Sequence, residues 1–160
     1  MFPVIFFSIA LILALFHISR LKKRTSAKVI ETLLVYFVVF NIAVQGIFAG
    51  FFQAFRGPQT AAEIGFTYSP FEWEIAFSNI GLGVAALMSI FWRGRYILGP
   101  VIASTIFIYA AAYGHFVQAA KGDVSPYNGG IFLWAGDIII PTIILILAIL
   151  YYNTVISKKK

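Results

Sequence analysis

The residues that could do chemistry in this 160-residue chain lie mainly in its later apolar stretches. Asp137 is followed four residues later by Pro141, which has no N–H, so the carbonyl of Asp137 loses its usual helical partner. An ionisable group inside such a stretch costs about 2.5–3.5 kcal/mol on insertion scales and usually faces a cavity or a partner. Asp137 is therefore the first candidate for a cation or proton site.

A histidine can serve as the partner of this carboxylate. His115 lies near the end of the fourth apolar stretch, and a short loop separates that stretch from the one that carries Asp137. If the two stretches are neighbouring antiparallel helices, His115 meets Asp137 as a titrating donor. Histidine changes charge between about pH 5 and pH 8, so we expect the activity of the pair to change over that range.

More polar side chains converge on the same end of the stretches. Helical spacing places Glu72, Ala76 and Asn79 on one face, and Glu74 starts a second small or polar stripe about 200° away. Both stripes suit packing between helices better than contact with lipid. The ligand- or ion-binding residues predicted in addition to Asp137 and His115 are Glu74, Asn79, Gln118, Glu72, Asn128 and Gln45.

Several of these residues also have simpler interpretations. Ser69 and Glu72 have the spacing of a capping box, so Glu72 could satisfy the start of a helix. Glu74 could be an interfacial carboxylate in water, and His115 could be a hydrogen-bonded packing residue. Gln45 could join two helices, and Asn128 begins an Asn-Gly-Gly turn.

Metal and enzymatic sites find little support in the sequence. The chain has no Cys and two His residues, and no His-x-x-x-His or His-x-x-Glu pair that would suit zinc or iron. No Ser lies in a Gly-x-Ser-x-Gly setting. We therefore predict no catalytic residue, no metal ligand and no cofactor, and we do not favour an enzyme.

The elements that position the polar residues follow from composition. The chain is 61% hydrophobic and 11% charged, whereas soluble domains are about 45–50% apolar and about 25% charged. This disfavours a soluble enzyme, a nucleic-acid binder and a disordered chain. We predict one all-α transmembrane domain over residues 1–160, with five helices at about 1–18, 29–52, 71–92, 97–119 and 131–152.

The net charge of +6 predicts an orientation in the bilayer. Ten of the twelve Lys and Arg residues follow the first, third and fifth stretches, while five of the six acids fall toward the opposite side. By the positive-inside rule the N-terminus lies outside, the C-terminus is cytoplasmic and the protein belongs to the plasma membrane. The first stretch lacks the preceding charges and cleavage site of a signal peptide, so we expect a retained helix.

Four segments together resemble a known family. They are Pro-Phe-Glu-Trp-Glu-Ile-Ala-Phe-Ser-Asn at 70–79, Tyr-Gly-His-Phe-Val-Gln at 113–118, Ser-Pro-Tyr-Asn-Gly-Gly at 125–130 and Asp-Ile-Ile-Ile-Pro at 137–141. They look like a group of small prokaryotic multi-pass membrane proteins described only as a domain of unknown function. The likeness covers stretches three to five. It implies recurring polar positions in a membrane protein and supplies no activity.

Three functions remain open from the sequence. The first is a polar pocket near the outer leaflet that binds or conducts a small ion, proton or polar solute. The second is an accessory or structural subunit of a larger membrane complex. The third is a membrane-embedded enzyme with Glu74 and His115 as acid and base. The expected partners are the lipid bilayer and either a homo-oligomer or a larger membrane complex, with no nucleic acid.

Overall fold

The computed structural model describes residues 2–64 and 66–157, and every regular element within those residues is helical. Five helices are long and apolar enough to cross a membrane, which confirms the all-α class of an integral membrane protein. In chain order the helices are α1 (Phe2–Arg20), α2 (Ser26–Phe55), the short α3 (Gly57–Glu63), α4 (Phe71–Ile90), α5 (Gly94–Ala120) and α6 (Phe132–Ile156). Met1 and Lys158 to Lys160, which entered the predictions above, lie outside the described residues.

Most helices extend beyond the apolar stretches that predicted them. α2 begins at Ser26 instead of residue 29, and its N-cap is Thr25, whose hydroxyl accepts a hydrogen bond from the N–H of Lys28 at 3.4 Å. The hydropathy pattern placed the start of this helix directly after Lys28, the last charged residue before the apolar stretch. The helix continues through it because a long basic side chain can reach the interface while its backbone stays helical.

The bundle has two chemically different ends. The basic end carries Arg20, Arg93 and Arg95, and the acid end carries Glu63 and Asp123. We call the parts of the bundle on either side of Asn41, a residue in the middle of α2, the basic half and the acid half.

Large apolar side chains fill the basic half. Leu34, Val38, Ile97, Val101 and Tyr151 are each at most 1% exposed and come from three of the long helices. With little hydrophobic driving force between helices in lipid, dense packing of this kind is what holds a bundle together. The basic half therefore provides the rigid part of the structure.

Hydrogen bonds and charges close the basic end. The hydroxyl of Tyr151 accepts a hydrogen bond from the N–H of Gly94 at 3.0 Å, where the backbone has a φ of +71° that favours glycine. Glu31 lies 3.8 Å from the guanidinium of Arg93. The Glu31–Arg93 pair joins the start of α2 to the loop before α5.

Glycines bring α2 and α4 into close contact in the acid half. A Cβ on Gly46 would lie 3.1 Å from the carbonyl oxygen of Asn79, and one on Gly83 would lie 2.9 Å from that of Ala43. Only glycine allows this approach, as in the small-residue contacts of membrane helices. This contact fixes which face of α4 points inward.

Wide helical turns occur in two of the long helices. Val38–Val44 in α2 and Phe132–Ile139 in α6 are π-helical, and they carry Asn41 and Asp137. The second π-helical segment ends two residues before Pro141, whose missing N–H disturbs the regular hydrogen-bond ladder. π-helical turns are rare and occur frequently at functional sites.

Candidate functional site

A chain of four polar side chains links α5, the loop before α6 and α6 itself. The Nδ1 of His115 lies 2.8 Å from Oδ1 of Asn128, and its Nε2 lies 4.0 Å from Oδ2 of Asp137. Asn128 is 6% exposed, and its amide nitrogen donates to Gln118 at 3.5 Å and to the carbonyl of Asp123 at 3.3 Å. The structure therefore brings together four of the predicted residues, and His115 and Asp137 are neighbours.

The Asn128 contact determines how His115 faces Asp137. An amide oxygen can only accept, so Nδ1 of His115 carries the donated proton. Nε2 then faces the Asp137 carboxylate, and the approach is favourable only when one of the two groups holds a further proton. At 4.0 Å the two side chains do not form a hydrogen bond. The arrangement suits a site where a proton or another cation lies between them.

A cavity of about 530 Å³ lies between α2, α4 and α5. We call it the Glu72 cavity, after the one carboxylate among its lining residues. Glu72 is 8% exposed, and its carboxylate has no hydrogen bond or ion pair among the described residues. Asn79 also lines it and donates to Oε1 of Gln53 at 2.7 Å. The lining otherwise consists mostly of apolar side chains such as Phe66, whose ring lies 5.8 Å from that of His115.

A second cavity, of about 490 Å³, lies between the start of α1, the end of α2 and the start of α6. We call it the Asp137 cavity. Its charged lining residues besides Asp137 are Arg56 and Glu63. The remaining lining residues are Phe2, Pro3, Gln45, Phe48, Ala49, Phe52, Gln53, Thr60, Ile64, His115, Tyr127 and Phe132.

The two cavities share part of their walls. Gln45, Ala49, Gln53, Ile64 and His115 border both of them. His115 therefore faces each cavity and stands beside Asp137, with its side chain 12% exposed and that of Asp137 22% exposed.

Buried polar atoms without partners mark the deepest part of this region. The amide nitrogen of Asn41 donates to the carbonyl of Pro3 at 3.0 Å. Within the part of the chain that the structure describes, its Oδ1 is buried without a partner, as is Oε1 of Gln45. Both residues lie on one face of α2 and line the Glu72 cavity. An unpaired buried acceptor is unfavourable by about 1–3 kcal/mol, so such groups are rarely kept for stability alone.

The structure separates the two acids that begin α4. Glu72 is buried in its cavity wall, whereas Glu74 is exposed and lines neither cavity. The stripe that Glu74 begins is mostly exposed as well, so the expectation that both stripes pack between helices is wrong. The capping-box interpretation of Glu72 fails too, because no side chain caps the start of α4.

Sequence reasoning left some lining residues out of the predicted site. Gln53 continues the spacing of Gln45 and Ala49 at i+4 and i+8, so the helical pattern alone could have identified it. Glu63 and Arg56 could not be found in this way, because they belong to a short helix and its preceding turn. Among the described residues, no three His, Cys, Asp or Glu side chains come close enough together to hold a metal ion.

Comparison with known proteins places the chain in a family but assigns no activity. The model of a family of unknown function (DUF6790) matches residues 1–156, and the chain belongs to that family. The match includes the first two helices, which lie outside the segments that carry the resemblance. No curated protein and no solved structure matches the chain.

Proposed function

We propose that this member of the DUF6790 family binds a small cation or polar solute in the cavities of its acid half, with Asp137 and His115 at the centre of the site. One observation carries the proposal. His115 borders both cavities and lies 4.0 Å from the Asp137 carboxylate. A carboxylate and an imidazole that border both spaces can bind a solute in either one.

The size of the cavities favours a solute over a bare ion. Ligand sites typically measure about 300–1,000 Å³, and one water takes about 30 Å³. Volumes of about 490 and 530 Å³ lie within the range of ligand sites. Their mixed lining, mostly apolar with a few polar groups, is also typical of sites for small molecules.

The packed basic half favours a carrier or receptor over an open pore. Leu34, Val38, Val101 and Ile144 are each at most 3% exposed, between the level of Asn41 and the basic end. A solute that reaches Asn41 would have to displace these side chains to go further. Transfer across the membrane therefore requires a second conformation, whereas binding from the acid end does not.

The proposed orientation places the acid end outside the cell and the basic end in the cytoplasm, with the protein in the plasma membrane. The chain has no cysteine, so single cysteines report each side cleanly. Val124, which is 94% exposed in the loop before α6, and Lys23, exposed in the loop before α2, suit the two variants. An impermeant maleimide should label Val124→Cys in intact cells, and Lys23→Cys only after lysis. The reverse pattern would contradict the orientation.

A thermal-stability screen tests the binding proposal. The purified protein is heated with alkali cations, amines, amino acids and polyols, because a ligand that binds only the folded state raises the unfolding temperature. At least one solute should stabilise the wild type and fail to stabilise Asp137→Asn. Glu74→Gln is the matched control, since it neutralises a carboxylate outside both cavities. If every solute affects Asp137→Asn and Glu74→Gln equally, the proposal is wrong.

A further inference from the structure

Aromatic rings form much of the wall of the Asp137 cavity. The ring centroid of Phe48 lies 5.0 Å from that of Phe2 and 4.7 Å from that of Phe52. The ring centroids of Tyr127 and Phe132 lie 4.6 Å apart. All five rings line this one cavity. Aromatic faces carry partial negative charge, so a cluster of rings attracts a cation. The same rings also pack against apolar groups.

The charges of the same cavity favour a positive occupant. Asp137 and Glu63 contribute two carboxylates, and Arg56 contributes one guanidinium. The guanidinium carbon of Arg56 lies 6.0 Å from the ring centroid of Phe52, so the wall already holds one organic cation against an aromatic face. The cavity thus has an excess of negative charge when His115 is neutral.

We propose that the Asp137 cavity binds an organic cation, an ammonium group carried on a small apolar body. The proposal rests on the proposed function, for which it names the class of solute. The ammonium lies near Asp137, and its alkyl groups contact rings such as Phe48 and Phe52. A bare metal ion would leave the aromatic walls unused, and an anion would meet two carboxylates.

Arg56 takes part in this site as a competitor. Its guanidinium occupies the face of Phe52 and adds a positive charge to the cavity. A bound organic cation gains from displacing it toward Glu63. Replacing Arg56 by Gln should therefore strengthen binding, which distinguishes a cation site from a site for neutral or anionic solutes.

Calorimetric titration of the purified full-length protein tests the proposal with choline and its neutral isostere, 3,3-dimethylbutan-1-ol. The two differ mainly in charge. Choline should bind about tenfold or more tightly than the alcohol, since a cation–π contact alone accounts for about 2- to 30-fold. Asp137→Asn should reduce that preference to the part that the rings contribute, Glu74→Gln should keep it in full, and Arg56→Gln should increase choline affinity. Phe52→Leu should weaken choline binding without affecting the alcohol.

Equal affinity for choline and the alcohol, or an undiminished preference in Asp137→Asn, would overturn the organic-cation site. A failure of this kind is distinct from a failure of the proposed function. If alkali cations, amino acids or polyols still stabilise the wild type and not Asp137→Asn, the binding site stands and only its solute class is wrong. If no solute depends on Asp137, both proposals fall.

Discussion

The two halves of the bundle pack their apolar residues in different ways. In the basic half, Leu34, Val38 and Val101 are each 0% exposed and line neither cavity of the acid half. A cavity of about 320 Å³ in the basic half lies at its charged end, beside Glu31, Arg93 and Tyr151. In the acid half, glycine contacts hold α2 against α4 beside about 1,000 Å³ of cavity in total, roughly the sum of the two volumes. The buried residues of the basic half therefore support the fold, whereas those of the acid half enclose the two cavities.

Acids and amides follow the same division. Asp137, Glu72 and Gln45 line cavities in the acid half, where polar groups inside a membrane are costly and usually functional. The charged pair of the basic half, Glu31 and Arg93, lies at the surface and is partly exposed. We infer from this difference that the basic half stabilises the fold. The acid half is less stable because it keeps polar groups for binding.

The largest expected effect comes from one leucine in each half. Leu34→Ala removes a fully buried side chain and should lower the free energy of unfolding by about 2–5 kcal/mol. Leu82→Ala makes the same change at a residue that already borders the Glu72 cavity, and should lower it by about half as much or less. Equilibrium unfolding in detergent measures both. Equal losses would mean that the halves are packed alike.

The next effect concerns pH and the acid half alone. The charged groups around His115 are Asp137 on α6, Glu72 on α4, and Glu63 and Arg56 beside the Asp137 cavity. Protonation of the Asp137 carboxylate removes the negative charge that an ammonium group contacts. Choline affinity should therefore fall about tenfold as the pH is lowered from 8 to 5, and Glu74→Gln should behave as the wild type. Choline itself does not titrate, so a flat profile would contradict a role for Asp137.

A smaller effect is expected at the basic end. Tyr151→Phe removes the hydroxyl that accepts the N–H of Gly94 and keeps the buried ring. The free energy of unfolding should fall by about 0.5–1.5 kcal/mol, with no change in choline affinity. A change in affinity with unchanged stability would show that the basic end communicates with the cavities.

The smallest effect is expected at Gln45 in the acid half. Its Oε1 is buried without a partner, so Gln45→Leu removes an unsatisfied acceptor at nearly constant volume. Stability should stay within about 0.5 kcal/mol of the wild type or rise. Solute binding should weaken, because the side chain borders both cavities. A large loss of stability would show that the amide supports the fold.

The sequence contained enough to predict the helices and one central contact. Apolar stretches of about 20 residues predict membrane helices directly, because lipid leaves the backbone no other partner. The proximity of His115 and Asp137 could be predicted from the short loop that joins their antiparallel helices. The two side chains lie 4.0 Å apart. Both inferences depend on local geometry, which a single sequence contains.

The choice between Glu72 and Glu74 was beyond the sequence. Both acids begin stripes of small or polar residues. The sequence pattern does not show which of these two faces of α4 points inward. The close approach at Gly46 and Gly83 turns the Glu72 face inward and leaves Glu74 exposed. That outcome depends on the packing angle of two helices. The aromatic wall of the Asp137 cavity could not be predicted from the sequence either, because its rings come from α1, α2, α6 and the loop before α6.

A high-resolution experimental map of the purified protein with choline is the sharpest test of an organic-cation site in the acid half. We expect discrete non-protein density in the Asp137 cavity, next to the Asp137 carboxylate and against the rings of Phe48 and Phe52. We also expect a close-packed basic half without such density around Leu34. A map in which both cavities have collapsed and His115 is surrounded by apolar side chains would contradict this site.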